Sequence, residues 1–331
     1  MKTAVVIGSN SFSGADFVDL LLEETDFCVV GISRSPEKGP LYLPYLGHAG
    51  LSRFTFHQVD MNRAMPELLA ILADLRPSYV VNFAALTEVA ASWQDSGQWF
   101  ATNAVAVANL TSWLRGKDWL EKYVQISTPE VYGSCEGRVL EDARFDPSTP
   151  YAASKAAADL MVASLVKTWA FPAVTIRATN VYGAHQQLYK IIPRTAIYLR
   201  RGEQIELHGG GKAVKSFIHI RDVSRGELSA MLEGEPGDVF HLSPDGGGIA
   251  IRELVRRTCE MAGRSFEACT RSTAERPGQD KAYVIDSSKA RTELGWRPRV
   301  GLDEGLKEVI QWVDRHWDAI RKEPLEYVHV P

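Results

Sequence analysis

The chain has 331 residues, of which 45% are hydrophobic and 24% charged, and its formal net charge is −4. This length and apolar content suffice for a full-sized core. The absence of a long lysine or arginine run excludes an extended surface for nucleic acid or membrane lipids.

Short apolar runs alternate with amphipathic stretches through the first half of the chain. In order they are TAVVIG, DFVDLLLEE, FCVVGIS, FTFHQVD, MPELLAILADL, YVVNFAA, NAVAVANLTSWLRG and YVQIST. The alternation of strand and helix patterns predicts an α/β fold with a doubly wound parallel sheet of the Rossmann type.

The pattern loosens after an alanine-rich helical stretch, TPYAASKAAADLMVASLVKTWA, and one further strand, AVTIRATNVYG. Short strands, glycine-rich turns and short helices follow, which is typical of a smaller lobe beside a main sheet. We therefore expect residues 1–180 to form mainly a dinucleotide-binding domain. Residues 181–331 should form mainly a C-terminal α/β substrate-binding lobe, with some strands and helices returning to the first domain.

A glycine-containing turn lies between the first predicted strand and helix, in VVIGSNSFSGADFVDLL. Gly8 and Gly14 have the spacing of a dinucleotide-binding turn, in which a helix N-terminus receives the pyrophosphate. Ser11 replaces the middle glycine and still offers a hydroxyl and an N–H. The predicted cofactor-binding residues here are Gly8, Ser11, Phe12, Ser13 and Gly14. The alternative is a strand-to-helix turn without a ligand.

The end of the second strand bears on which cofactor binds. NAD sites usually place a carboxylate there to bond the adenosine ribose, whereas an arginine accommodates the 2′-phosphate of NADP. The chain has Ser33 and Arg34 at this point. The sequence therefore favours NADP, with NAD as the alternative if Arg34 is only a solvated loop residue.

Tyr151 and Lys155 begin the alanine-rich helix four residues apart, so they share one helix face. An ammonium group beside a phenol should lower the pKa of that phenol, which would let Tyr151 accept a proton from a hydroxyl. The alternative is an ordinary helix-surface pair. The order of a glycine turn, NFAA, Ser127 and Thr128, and then Tyr-x-x-x-Lys favours the catalytic interpretation.

Over nearly its whole length the sequence resembles the extended short-chain dehydrogenase/reductases, and among them the nucleotide-sugar 4,6-dehydratases that act on dTDP-glucose or GDP-mannose. The motifs that carry the resemblance are GSNSFSG, VDMNR, NFAALTEVAASW, TNAVAVANL, ISTPEVYGS, TPYAASKAAADL, RATNVYGAHQQLYKIIPR, GGGKAVKSFIHIRDV and ERPGQDKAYVIDSSKARTELGW. By this resemblance Thr128, Tyr151 and Lys155 form the catalytic triad, and Tyr151 and Lys155 also contact the cofactor.

The resemblance implies further ligand contacts. Asp60 and Met61 should lie beside the adenine, and Phe83, Ala84 and Ala85 should lie along the cofactor. The implied substrate-binding residues are Thr87, Asn180, Lys190, Lys215 and Arg276, the last three around the diphosphate of a nucleotide sugar. A homodimer through paired long helices, including the Tyr151 helix, is also implied.

The resemblance also implies a reaction in which C4 of a hexose is oxidised, water leaves from C5 and C6, and hydride returns to C6. Glu130 would remove the C5 proton, and the product would be a 4-keto-6-deoxy sugar nucleotide. Polar side chains at the carboxyl end of a parallel strand suit this role, because ligands bind there in open α/β sheets.

Three positions depart from the family pattern. Pro129 stands where dTDP-glucose enzymes carry an aspartic acid, Glu88 where a histidine is usual, and Lys215 where an arginine is common. Glu88 has two interpretations, a changed substrate contact or a solvated carboxylate at a helix start. The departures leave a 4-epimerase or a 4-keto reductase as alternatives, and more remotely a non-catalytic cofactor-binding protein.

Metal chemistry and export are not predicted. No histidine, cysteine and carboxylate cluster has metal-ligand spacing, and the four cysteines follow no C-x-x-C pattern. His208 and His219 are expected in structural roles, and His185 as a solvated loop histidine, with a substrate contact as the alternative. The start MKTAVVIGSN is too short for a signal peptide or a membrane span. We therefore expect a cytoplasmic enzyme.

Overall fold

The structure, a computed structural model, describes residues 1–274 and 283–327. The strands are β1 Thr3–Ile7, β2 Cys28–Ser33, β3 Phe54–Gln58, β4 Tyr79–Asn82, β5 Lys122–Ile126, β6 Cys135–Val139, β7 Ala173–Ala178, β8 Asn180–Tyr182, β9 Ile205–His208, β10 Val214–Lys215, β11 Phe217–His219, β12 Val239–Leu242, β13 Ile249–Ala250, β14 Thr270–Thr273 and β15 Tyr283–Ile285. The helices are α1 Phe12–Glu24, α2 Met65–Leu75, α3 Val89–Ser92, α4 Ser96–Phe100, α5 Ala106–Leu114, α6 Pro150–Trp169, α7 Ile191–Arg201, α8 Ile220–Glu233, α9 Ile251–Met261, α10 Phe266–Cys269, α11 Ser288–Glu293, α12 Leu302–Arg315 and α13 Trp317–Ile320.

Seven of these strands form one parallel sheet in the order β12-β7-β5-β4-β1-β2-β3. Apolar clusters cover both faces, because the central strands are apolar at nearly every position rather than at alternate ones. The predicted Rossmann-type fold is confirmed. The chain order reverses between β1 and β4, and this is the point where open α/β sheets bind ligands.

The remaining strands form two-stranded pairs that belong to the smaller lobe or border it. They are β8 with β11, β9 with β14, β10 with β13, and β6 with β15. A separate apolar cluster under α7, α9 and α12 gives the lobe its own core. Residues 239–242 nevertheless form β12 in the main sheet, so the chain passes through the lobe and returns.

Helices α1 and α8 pack together through a buried acidic group. Asp16 accepts a hydrogen bond from Ser224 at 2.7 Å and lies 3.5 Å from Arg221. Glu227 is 1% exposed, and among the described residues its Oε2 has no hydrogen-bond partner. Burial, and to a lesser degree the charge of Asp16, raises the pKa of Glu227 well above its usual range.

The Glu227 carboxyl should make stability depend on pH. Because its folded-state pKa is raised, its contribution is fully present below the unfolded-state pKa and is lost as pH rises through the folded-state pKa. Glu227→Gln removes this loss. The free energy of unfolding of the variant is measured with denaturant and compared with that of wild type. We expect this difference to shift in favour of the variant by about 1–3 kcal/mol between pH 5 and pH 8. A difference that does not change between the two pH values would contradict the assignment.

Candidate active site

The first phosphate turn joins β1 to α1 beside the end of β4. Gly8 has φ 88°, and a Cβ there would lie 2.7 Å from the Ala84 nitrogen and 2.8 Å from the Phe83 carbonyl carbon. Only glycine fits both the backbone conformation and this close approach. The turn therefore brings together Gly8, Phe83 and Ala84, which the sequence assigns to one cofactor.

The N-terminus of α1 is capped within the same turn. The Ser11 side chain accepts a hydrogen bond from the Gly14 N–H at 3.0 Å, and a Cβ on Gly14 would lie 2.3 Å from the Gly8 oxygen. Phe12 and Ser13 form the first positions of the helix. A helix start of this kind, behind a glycine turn, fits a bound pyrophosphate through its N–H groups and dipole.

The end of β2 lies against the glycine turn. Buried Ser33 accepts a hydrogen bond from the Asn10 N–H at 2.9 Å, and Lys38 Nζ donates to the Asn10 carbonyl at 3.0 Å. Asn10 Oδ1 is buried with no hydrogen-bond partner among the described residues. Arg34 is exposed. Sequence reasoning missed Asn10 and Lys38, whose contacts depend on the loop after β2.

Asp60 and Met61 follow β3 at the same edge of the sheet. Asp60 accepts a hydrogen bond from the Asn62 N–H at 2.8 Å, while Met61 is buried in the cluster that contains Ile7 and Ile32. Ala85 is half-buried just beyond Ala84. The orphaned Asn10 oxygen and the tight glycine turn show that the residues present fit a dinucleotide.

The predicted catalytic residues meet where β5 ends against α6. The Thr128 hydroxyl lies beside the Tyr151 phenol, and Lys155 Nζ donates to the Ile126 carbonyl at 2.6 Å. Thr149 and Pro150 begin α6, and the Thr149 hydroxyl accepts from the Ala152 N–H at 3.1 Å. This cap fixes the helix start, and with it the direction of the first turn.

The electrostatics of Tyr151 differ from the prediction. Burial raises the pKa of Tyr151, the Glu130 charge raises it further, and the Thr128 hydroxyl opposes this. The predicted net lowering of this pKa is wrong for this structure, because burial is the largest influence on the phenol and the Lys155 ammonium group bonds the strand carbonyl. Burial also lowers the pKa of Lys155 to about 8. Both groups therefore pay a desolvation cost for their charged forms.

Glu130 lies two residues after Thr128, in a 3-10 turn formed by Pro129–Tyr132. The Thr128 hydroxyl accepts from the Glu130 N–H at 3.3 Å. Glu130 is half-buried and Pro129 is buried. The turn thus presents one carboxylate toward Tyr151, and the proline beside it has no proton to donate.

A cavity of about 480 Å³ lies between β8, α7 and β9. It is lined by three of the predicted substrate residues, Asn180, Lys190 and Lys215, and by Glu88. Lining residues that the sequence analysis did not identify as binding residues include Tyr189, Arg194, Tyr198, Glu206 and His208. His208 also bonds the Thr273 hydroxyl at 2.9 Å, a contact that fits its expected structural role.

Glu88 stands at the N-cap position of α3, as one of its two interpretations expected, but its side chain makes no capping hydrogen bond and is partly buried in an ion pair. Its Oε1 accepts hydrogen bonds from Lys190 Nζ at 2.5 Å and from the Tyr189 hydroxyl at 3.2 Å. Its charge also raises the pKa of Tyr151. Glu88 therefore lies between this cavity and the predicted catalytic residues, and Lys190 already has a carboxylate partner.

The other predicted positions have varied surroundings. Thr87 is exposed beside Glu88, and Arg276 lies outside the described residues. His185 bonds the Leu41 carbonyl at 2.9 Å, and His219 lies 3.0 Å from Glu308, so both have structural contacts. In the part of the chain that the structure describes, no three metal-ligating side chains cluster. Nor does any helix in these ranges have the length and apolar composition to cross a membrane.

Comparisons with known proteins agree with this geometry. The family model described as GDP-mannose 4,6 dehydratase matches residues 5–309. A dTDP-glucose 4,6-dehydratase of Streptomyces antibioticus is 32% identical, over 97% of this chain and 96% of that protein.

Solved structures are also similar. The dTDP-glucose 4,6-dehydratase DesIV of Streptomyces venezuelae, with NAD bound, has TM-score 0.86 at 28% identity, covering 96% of this chain and 98% of that one. A UDP-glucuronic acid 4-epimerase of Bacillus cereus has TM-score 0.83 at 27% identity, covering 95% and 99%. The family match spans most of the chain and includes both the glycine turn and the β5–α6 site, so the chain belongs to the GDP-mannose 4,6-dehydratase family of extended short-chain dehydrogenase/reductases.

Proposed function

We propose that this protein is an NAD(P)-dependent 4,6-dehydratase that converts a nucleoside diphosphate hexose to its 4-keto-6-deoxy form. The observation that carries the proposal is the half-buried Glu130 carboxylate beside a Thr128–Tyr151–Lys155 group. Oxidation at C4 alone requires a proton acceptor. Elimination across C5 and C6 requires a second base, which Glu130 supplies.

Tyr151 accepts the C4 hydroxyl proton, and the Thr128 hydroxyl beside the phenol lowers the pKa of Tyr151 and so favours the phenolate. The bound cofactor supplies a cationic nicotinamide ring and the hydride acceptor for C4, and after reduction the hydride donor for C6. Because burial raises the pKa of Tyr151, its base form depends on nearby positive charge. Lys155 contributes such charge from one helix turn away.

Glu130 removes the C5 proton once C4 is a ketone, since the ketone stabilises the resulting carbanion. Pro129 cannot protonate the C6 hydroxyl that leaves as water. We assign that second role to the Glu130 carboxyl, which has just taken up the C5 proton. One carboxyl group would then act first as base and afterwards as acid.

Mass spectrometry of products tests the reaction class. Purified protein incubated with dTDP-glucose, GDP-mannose and other nucleotide hexoses should yield a product lighter by one water from at least one of them. A product of unchanged mass with inverted C4 would instead identify the 4-epimerase alternative, which the Pro129 replacement and the similar epimerase structure keep open. Net cofactor oxidation would identify a reductase.

The cofactor is a nicotinamide dinucleotide. Of the two such cofactors, we propose that the protein prefers NADP to NAD. Ser33 occupies the end of β2, where its hydroxyl is used by the Asn10 N–H. Two cations, Arg34 and Lys38, belong to the loop that follows. A serine with basic neighbours suits a 2′-phosphate better than it suits the bidentate bonding of two ribose hydroxyls.

Titration of both cofactors measures this preference. Arg34→Ala should weaken NADP binding by about tenfold, the contribution of one charge-assisted hydrogen bond, and leave NAD binding unchanged. Arg63→Ala, which removes an exposed arginine near Asp60, serves as the control. Tighter NAD binding by wild type, unaffected by Arg34→Ala, would refute the NADP preference.

We also propose that two copies pair through α6 and the helical segment before α5. Large apolar side chains are exposed there: Phe100, Val105 and Leu160. Apolar side chains grouped on neighbouring helices are typical of a protein interface. A dimer would bury α6, the helix that carries Tyr151.

Sedimentation velocity tests this interface. Leu160→Lys, at a residue that is 62% exposed, should convert a dimer to a monomer because a lysine charge would be buried in the interface. Leu232→Lys on α8, where the leucine is 46% exposed, should leave the sedimentation coefficient unchanged. Wild type that sediments as a monomer at micromolar concentration would contradict the proposal.

A cytoplasmic location completes the proposed function. Cys28, Cys259 and Cys269 are free thiols. Free thiols persist in reducing compartments.

A further inference from the structure

The end of β5 and the two residues after it contact one face of α6. The Ile126 carbonyl accepts a hydrogen bond from Lys155, the Ser127 hydroxyl donates to Asp159 at 2.6 Å, and Thr128 lies beside Tyr151. Three consecutive residues therefore face three helix residues spaced four apart. The proposed mechanism uses Thr128, Tyr151 and Lys155 and leaves Asp159 without a role.

Asp159 is a buried carboxylate with an uneven distribution of partners. Its side chain is 3% exposed, and its Oδ2 receives Ser127 and both Nε and Nη2 of Arg177, at 3.2 and 2.7 Å. Its Oδ1 is buried with no hydrogen-bond partner among the described residues. Three donors thus bond Oδ2, whereas the negative charge on Oδ1 has no hydrogen bond among the described residues. Asp159 lies one helix turn beyond Lys155.

This charge acts on Lys155. Burial lowers the pKa of Lys155 to about 8, and the negative charge of Asp159 opposes the shift. Among the described residues, the other titratable or charged groups facing this region from neighbouring elements are Tyr151 on α6, Tyr123 on β5, Glu130 after β5, Glu88 after β4, Arg177 on β7, and Tyr132, Glu141 and His241 beside Arg177.

We propose that Asp159 is a positioning residue for the reaction: anchored by Ser127 and Arg177, it holds Lys155 charged and fixed against the end of β5, beside Tyr151. The proposal rests on the dehydratase function. Arg177 has a different role. It balances the buried carboxylate, and its Nη1 also bonds the Tyr132 hydroxyl, which lies 2.8 Å from His241 Nε2.

Three variants separate this role from simple maintenance of the fold. Asp159→Asn keeps shape but removes the charge and leaves Arg177 unpaired, so it should also destabilise the protein. Asp159→Asn with Arg177→Met removes both charges and should recover part of that stability. Arg177→Met alone keeps the Asp159 charge.

Lys155 is then titrated directly, without substrate. Lysine labelled with carbon-13 at its ε-carbon gives an NMR signal for Lys155, assigned by its loss in Lys155→Met. We expect its titration midpoint to fall by about one pH unit in both variants that lack Asp159, and not to fall in Arg177→Met. An unchanged midpoint in the Asp159→Asn/Arg177→Met protein would overturn the proposal, whatever the enzyme's substrate proves to be.

The pH profile supplies the second measurement. With dTDP-glucose or whichever hexose nucleotide wild type converts, kcat/KM of the double variant should fall about fivefold at pH 8, and less than about twofold at pH 6.5. The alkaline limb of the profile of kcat/KM against pH therefore moves to lower pH. If kcat/KM instead falls equally at both pH values, in proportion to the lost stability, Asp159 acts only by stabilising the fold.

Discussion

Tyr151→Phe is expected to lower kcat by about a hundredfold to ten-thousandfold, the usual effect of removing a positioned acid–base group. Cofactor affinity should change little, because the ring packs with Leu86 and Trp99 whether or not it carries a hydroxyl. Stopped-flow absorbance of reduced nicotinamide measures the C4 oxidation step, and fluorescence titration measures cofactor binding.

Tyr123→Phe is the matched control for Tyr151. Tyr123 is also a fully buried tyrosine, and its hydroxyl bonds Gln125 at 2.6 Å. Its loss should reduce stability without a comparable loss of kcat. If Tyr151→Phe keeps more than about a tenth of wild-type turnover, Tyr151 is not the proton acceptor.

Glu130→Gln should separate the two halves of the reaction. The amide retains the shape of the carboxylate but cannot take the C5 proton, so hydride should leave C4 while water elimination slows about a hundredfold or more. Reduced nicotinamide should then accumulate. In deuterated water, wild type should place deuterium at C5 of the product, since the proton removed there is replaced from solvent.

Glu88→Gln is the control carboxylate for Glu130. It removes a charge that also acts on Tyr151, but Glu88 bonds Lys190 and Tyr189. The variant should therefore change KM through Lys190 and still incorporate deuterium at C5. Near-normal turnover by Glu130→Gln, with no deuterium at C5 in the wild-type product, would contradict a dehydratase and favour an epimerase or reductase.

The sequence predicted the features that depend on local spacing. Alternating strand and helix patterns identified the parallel sheet, and the interval of four residues placed Tyr151 and Lys155 on one face of α6. The prediction that Lys155 lowers the pKa of Tyr151 failed, because spacing gave neither the burial of the two groups nor the strand carbonyl that Lys155 bonds.

Contacts between segments that are distant in the chain could not be predicted from the sequence. Glu88 and Lys190 are 102 positions apart, and their ion pair exists only because α7 brings its start to the loop after β4. The Asn10 carbonyl and Lys38 similarly meet across the β2 loop. His208 could have been identified only from the position of β9 beside the cavity.

The return of residues 239–242 to the edge of the main sheet has a consequence for biosynthesis. Until β12 emerges from the ribosome, β7 has an unpaired edge with exposed N–H and C=O groups, which could pair with another nascent chain. A fragment that stops near residue 180 would keep that edge permanently. The cofactor half should therefore be prone to aggregate when expressed alone, and the two halves should acquire their native structure together.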